Sequence, residues 1–218
     1  MALDLFSGTK SVTEALRGLG YQVVTLDSDP KTCPDICVDI LQWNYRSLKP
    51  GEFDVIFAAV PCTEYSMALT TRPRNLPLAD AVVRRTLEVI SFLRPRLWFI
   101  ENPRTGLLSQ SPLVCEYPRV DVDYCQFSDW GYKKSTRIWG TMQGLRDVLC
   151  DAQTCRNIQP GTRKHREVLG GAAKRTTAKE EYRVPARLVE YLVTGDQSRN
   201  CKNPKAHRIA SELMLCLI

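Results

Sequence analysis

Short apolar runs, each ending in polar residues, alternate along this chain with stretches of helical periodicity. Ala2-Leu3-Asp4-Leu5-Phe6 is the first run, and it passes directly into Ser7-Gly8-Thr9-Lys10-Ser11. Val12, Ala15, Leu16 and Leu19 then recur at the spacing of an amphipathic helix, which Gly18 and Gly20 bring to an end. Residues 21–26 predict a second strand closing on Asp27-Ser28-Asp29-Pro30, and residues 36–40 a third. The apolar run at 53–60 predicts a fourth, which ends in Pro61-Cys62. Residues 79–93 predict a helix, with Val82, Val83, Leu87, Ile90 and Leu93 inward and Arg84, Arg85 and Glu88 outward. Leu97-Trp98-Phe99-Ile100 is a buried strand that delivers Glu101-Asn102-Pro103 at its carboxyl end. Residues 120–126 alternate as a strand does, and 184–193 predict a short helix through Leu188, Val189 and Leu192. Strands alternating with helices predict an α/β fold, a mostly parallel sheet with helices on both faces.

Composition narrows the class without choosing a function. A chain of 218 residues, 44% hydrophobic and 25% charged, suits one globular domain with a substantial core. No apolar run approaches the roughly 20 residues that span a membrane, and the residues after Met1 do not have the form of a secretory leader. The nine cysteines are therefore expected as thiols or metal ligands in a reducing compartment. The net charge of +6 fits a polyanionic partner. Basic residues concentrate at Arg156, Arg163, Lys164, Arg166, Lys174, Arg175 and Lys179, and with Arg72 and Arg74 they are candidates for phosphate contacts, or else a solvated basic surface.

Candidate chemistry collects where strands end. The turn at residues 7–11 lacks the earlier glycine of a phosphate-binding P-loop, since Leu5 stands five residues before Lys10. It also lacks the three glycines of a dinucleotide fingerprint, having only Gly8. What remains is a ligand with an adenosine and no pyrophosphate. Asp27 could accept from the two ribose hydroxyls and Asp39 from an adenine amino group, although each alone also suits a strand-end turn. Cys62, just past an apolar strand, is a candidate nucleophile, its bland alternative being a small packing thiol. Glu101 sits where a cleft would open.

Taken together, Asp4-Leu5-Phe6-Ser7-Gly8, Asp27, Asp39, Pro61-Cys62 and Glu101-Asn102-Pro103 resemble the ordered motifs of cytosine-5 DNA methyltransferases, in particular the compact phage- or virus-type members. The resemblance covers roughly residues 3–140, with a fainter echo at 182–193. It implies a Rossmann-like, S-adenosylmethionine-dependent methyltransferase fold and methylation of carbon 5 of cytosine in DNA. It implies Cys62 as nucleophile, Glu101 as the acid that binds the base, and Arg137 as the positive charge near the thiolate. Phe6, Ser7, Gly8, Asp27, Ser28, Asp39, Ile40 and Pro61 would contact S-adenosylmethionine. Asn102, Pro103, Arg72 and Arg74 would face substrate. The expected setting is intracellular, in the cytoplasm of a bacterial or viral host, or in a nucleus if the source is eukaryotic.

Two departures stand out. Lys10 replaces a second glycine and is expected to reshape the cofactor pocket, and Ser135 stands where a first arginine of the family strand belongs. The catalytic domain is expected over 1–145 and 182–194, with a reduced target-recognition insert at 146–181 and a tail at 195–218. An insert of only about 40 residues is too small for an ordinary independent domain, so a protein partner could supply specificity. No metal site is firmly indicated. Cys150, Cys155 and His165, with Cys115 or Cys125 as a fourth ligand, could hold zinc, although their spacing departs from zinc signatures and unligated thiols are the alternative. Cytosine-5 methylation of RNA and an inactive nucleic-acid-binding homologue remain the rival readings.

Overall fold

The computed structural model describes residues 1–169 and 177–195. Seven strands form one sheet: β1 (Ala2–Leu5), β2 (Val23–Asp27), β3 (Ile36–Cys37), β4 (Val55–Ala59), β5 (Leu97–Pro103), β6 (Arg119–Asp123) and β7 (Ser135–Gly140). Their order is β3-β2-β1-β4-β5-β7-β6. Neighbours from β3 through β5 are parallel, while β7 runs antiparallel to both β5 and β6. Strand order reverses between β1 and β4, and ligands of open α/β sheets bind outside the carboxyl ends of the strands at such a switch point.

The apolar pattern divides the sheet into two faces. Leu3, Leu5, Ile56, Ala58 and Ile100 pack with Ala79, Val83, Val89, Ile90 and Leu93 of the helix α2 (Leu76–Leu93). Ala2, Val55, Phe57 and Phe99 pack on the other face with Val12 and Leu16 of α1 (Ser11–Gly18). Leu188, Val189 and Leu192 of α4 (Ala186–Thr194) complete that face, and a short helix α3 (Ala178–Tyr182) precedes α4. Central strands buried on both sides explain why 53–60 and 97–100 are almost wholly apolar.

Three expectations shift in detail. The third strand is only two residues long, because its remaining residues turn away at Asp39, which accepts from the Leu41 backbone amide. Residues 124–126 leave the strand pattern as a 3-10 turn. β5 continues through Pro103, so Glu101 lies inside a strand rather than after one. The antiparallel β7 causes this by pairing Asn102 with Arg137 and Pro103 with Thr136, beyond Glu101, the last residue that β4 pairs. Of the expected tail at 195–218, all but Gly195 lies outside the described residues, as do Lys174 and Arg175.

β7 fits beside β5 only because residue 140 is glycine. A Cβ at Gly140 would stand 2.0 Å from the Trp98 carbonyl oxygen, and φ there is +141°. Gly140→Ala is therefore expected to destabilise the fold by about 3 kcal/mol or more. Denaturant unfolding checks it, and a loss below about 0.5 kcal/mol, the ordinary surface range, would contradict it.

Candidate active site

The carboxyl ends of β1, β4 and β5 open into a cavity of about 560 Å³. Its wall includes Phe6, Ser7, Gly8, Asp27, Pro61, Cys62, Glu101, Pro103 and Lys134, with Tyr182 and Val184 from the later segment.

On the β1 side, the chain turns sharply after the strand. Phe6 and Lys10 both take positive φ, 62° and 63°, a conformation that costs non-glycine residues energy. Two contacts hold the turn. The Gly8 amide donates to Asp27 Oδ2 at 2.8 Å, and the Ser7 amide donates to the Leu26 carbonyl at 3.1 Å. The Asp29 amide donates to Asp27 Oδ1, so the carboxylate is fixed by backbone while still facing the cavity. Lys10 does not fill the pocket. Its ammonium turns back to Ser7 Oγ and Thr25 Oγ1, each at 3.2 Å, and it is absent from the cavity wall.

Asp4 lies beneath this turn, fully buried, accepting from Thr13 Oγ1. Burial drives its pKa up to about 7, against the opposing hydrogen bond from Thr13.

On the β4–β5 side, Cys62 is half-buried and Glu101 is buried. The buried Asn102 donates its Nδ2 to the Val60 carbonyl at 3.0 Å, tying the β5 end to the residue just before Pro61-Cys62. Glu101 accepts from the Tyr124 hydroxyl at 2.9 Å and has Lys134 Nζ at 3.5 Å. Lys134 also lies 4.8 Å above the Tyr124 ring. Burial, and then the Glu101 charge, push the Cys62 thiol up, while Lys134 draws it down.

The positive charge expected from Arg137 is directed elsewhere. Its Nε and Nη2 donate to Asp121 Oδ1 and Oδ2 at 2.6 and 2.8 Å, because β7 pairs residue 137 directly opposite Asp121 of β6. The cation that acts on Cys62 is Lys134, three residues earlier. Ser135 donates to Asp123 Oδ1 at 2.6 Å. Arg72 pairs with Glu64, and Arg74 donates to the Ser66 carbonyl, so both guanidinium groups brace the loop after Cys62. Tyr65 anchors that loop through a 2.7 Å bond to Asp80.

Of the residues expected at the cofactor, Phe6, Ser7, Gly8, Asp27 and Pro61 line the cavity, whereas Ser28, Asp39 and Ile40 do not. Pro103 also lines it. Sequence reasoning missed Lys134 and Tyr124. Lys134 stands in a stretch, Lys133-Lys134-Ser135-Thr136-Arg137, whose bases were a signal, but Tyr124 carried none beyond the period-2 alternation of its strand.

A mostly parallel sheet with one antiparallel strand, β7, inserted between β5 and β6, an acid at the end of β2 and a Cys–Glu pair beyond β4 and within β5 defines a Rossmann-like class of enzyme fold. No family model matches the chain. A protein of Frog virus 3 named as a probable DNA (cytosine-5)-methyltransferase is 36% identical over 217 residues, covering 88% of this chain and 97% of the relative. The chain belongs to the DNA (cytosine-5)-methyltransferase family. Among solved structures, the S. pombe Dnmt2 methyltransferase is similar at 14% identity and a TM-score of 0.47, over 73% of this chain and 57% of that one. The Entamoeba histolytica methyltransferase EhMeth is similar at 13% identity and 0.48, over 64% and 52%.

Asp4 makes a pH-dependent prediction. With a folded pKa of about 7 against about 3.9 unfolded, its protonated form carries stability that is complete below pH 4 and lost as pH rises toward 7. Asp4→Asn keeps a neutral group there, so its stability relative to wild type should rise between pH 4 and 7, by at most about 4 kcal/mol, and level off above pH 8. Urea unfolding of both proteins across that range tests this. Parallel curves would mean that Asp4 titrates as it does in the unfolded chain.

Proposed function

We propose that the chain transfers the methyl group of S-adenosylmethionine to carbon 5 of cytosine in DNA, through a transient bond between Cys62 Sγ and carbon 6 of the base. One observation carries this reading: a single cavity wall includes both the residue 6–8 turn with Asp27 and the Cys62–Glu101 pair. Membership of the cytosine-5 methyltransferase family supports it.

The donor set suits the cofactor. A carboxylate on the wall matches a vicinal diol, and Phe6, Val12 and Pro61 offer apolar surface beside it, with Lys10 turned away. Phe6, Ser7, Gly8, Asp27 and Pro61 would hold S-adenosylmethionine, which when bound supplies an electrophilic methyl group.

The protein's own task is to make carbon 5 nucleophilic. Cys62 loses its proton and attacks carbon 6, forming the C–S bond and an enamine whose carbon 5 takes the methyl group. A base then removes the carbon-5 proton, and the electron pair re-forms the ring double bond as the C–S bond breaks. Glu101 holds the ring nitrogen and exocyclic amine of the base, and Tyr124 fixes that carboxyl from behind. Lys134 favours the thiolate against burial and the Glu101 charge. The base must leave the duplex to reach this site, or be presented in single-stranded DNA.

A 5-fluorocytosine substrate tests nucleophile, base and cofactor together, because fluorine at carbon 5 cannot leave as a proton does and the adduct stays. Wild type with S-adenosylmethionine should give a covalent protein–DNA species that Cys62→Ala abolishes. No adduct on duplex or single-stranded DNA would sink the proposal, and an adduct on matched RNA alone would move the substrate. Lys134→Met removes the cation that lowers the Cys62 pKa. It should slow adduct formation at pH 7 about tenfold and move the acid limb of the profile about one unit alkaline. An unmoved profile would place the activating charge elsewhere.

A further inference from the structure

Cys125 lies in the 3-10 turn directly after β6, and its thiol meets those of Cys150 and Cys155 and the ring of His165. The four ligand atoms all lie within 4.8 Å of one another. His165 Nε2 is 3.5 Å from Cys150 Sγ and 3.6 Å from Cys155 Sγ. In a tetrahedral zinc site, bonds of about 2.3 Å to sulfur and 2.0–2.1 Å to nitrogen make each S–N edge about 3.6 Å. Two edges therefore already stand at metal-bound length. Cys115, the other candidate for a fourth ligand, is exposed and bonded to the Pro112 carbonyl instead.

The backbone around the cluster is organised to bring these residues together. Ile158 bridges His165 in antiparallel fashion, and the Gln159 amide donates to the Lys164 carbonyl at 2.9 Å, so a tight hairpin returns the histidine to Cys155. Asn157, buried inside the hairpin, donates to the Cys125 and Ser128 carbonyls and accepts from the Gly131 amide. The Cys150 amide donates to Asp123 Oδ2 at 2.8 Å. Yet this segment has almost no core, for between residues 149 and 169 only Cys155 and Asn157 are buried. A segment of this size without apolar burial needs a covalent or metal staple to hold one conformation.

We propose that Cys125, Cys150, Cys155 and His165 bind one structural zinc ion through three thiolates and His165 Nε2. Three thiol protons pass to solvent on binding. A set of three sulfurs and one imidazole closes the zinc shell, leaving no position for water or substrate, so the ion is a fastener. It pins the 149–169 segment to the carboxyl end of β6, one residue from Tyr124 and its bond to Glu101. The inference does not depend on the reaction proposed above.

Elemental analysis of the full chain, purified reduced and without chelator from zinc-supplemented cells, should find about one zinc per chain. Cys125→Ser and Cys155→Ser should lose it, whereas His165→Cys and Cys115→Ser should retain it. Should the serine variants fail to fold, wild type exchanged with cobalt must still give the thiolate charge-transfer and intense d–d bands of a tetrahedral sulfur-rich site. Less than about 0.2 zinc per wild-type chain, bound iron in its place, zinc undiminished in soluble Cys155→Ser, or octahedral cobalt bands would each overturn the proposal.

Discussion

The bond from Asn102 Nδ2 to the Val60 carbonyl is the fastening on which the cavity depends. Parallel strands bring their carboxyl ends to one edge, but the ladder between β4 and β5 stops at Ala59 and Glu101. Beyond it, no backbone pairing aligns the segment carrying Cys62 with the strand carrying Glu101. A buried side-chain amide bridges that gap, and leaving its carbonyl partner unsatisfied would cost about 1–3 kcal/mol. Tyr65 then fixes the outgoing loop to Asp80 of α2, so Pro61-Cys62 is held on both sides.

Around the thiol, opposing influences are placed close together. Burial and Glu101 favour the neutral sulfur, Lys134 favours the anion, and Lys134 also sits 3.5 Å from Glu101. This cation is thus shared between Glu101 and Cys62. A guanidinium locked on Asp121 at two points could not serve both. Ser135, Lys133 and the Cys150 amide all converge on the buried Asp123, which links the β6–β7 pair to the segment beyond it.

What could be read from the sequence follows from how local each determinant is. Runs such as 53–60 and 97–100 announce buried strands because both their faces meet helices, and the motif at 4–8 marks a strand leading into a tight turn. Cys62 and Glu101 were legible because their strands point them at a common edge. The destination of Arg137 was not, because it depends on register between β6 and β7, where a shift of one residue would exchange the faces. Nor was Tyr124, whose importance arises only when β7 folds back between β5 and β6. The sequence offered Cys115 or Cys125 as a partner for Cys150, Cys155 and His165, and the choice of Cys125 needed the fold, including the hairpin at 158–165. Lys10 illustrates the reverse error, since a bulky residue in a glycine position looked obstructive until Ser7 and Thr25 were seen to draw it aside.

The segment around Val184 joins distant parts of the chain. Its amide donates to Ser11 Oγ at 2.9 Å across 173 positions, Arg183 stacks 3.8 Å over Trp130, and α4 packs with α1 on one face of the sheet. Tyr182 and Val184 supply wall to a cavity otherwise built from residues 4–134. During synthesis, then, every residue of the Cys62–Glu101 pair leaves the ribosome well before the pocket can close. A nascent chain halted short of residue 182 would hold the Cys62 thiol in an unfinished cleft, with α1 still lacking its partner. The cavity wall is therefore complete only once residue 184 has been made.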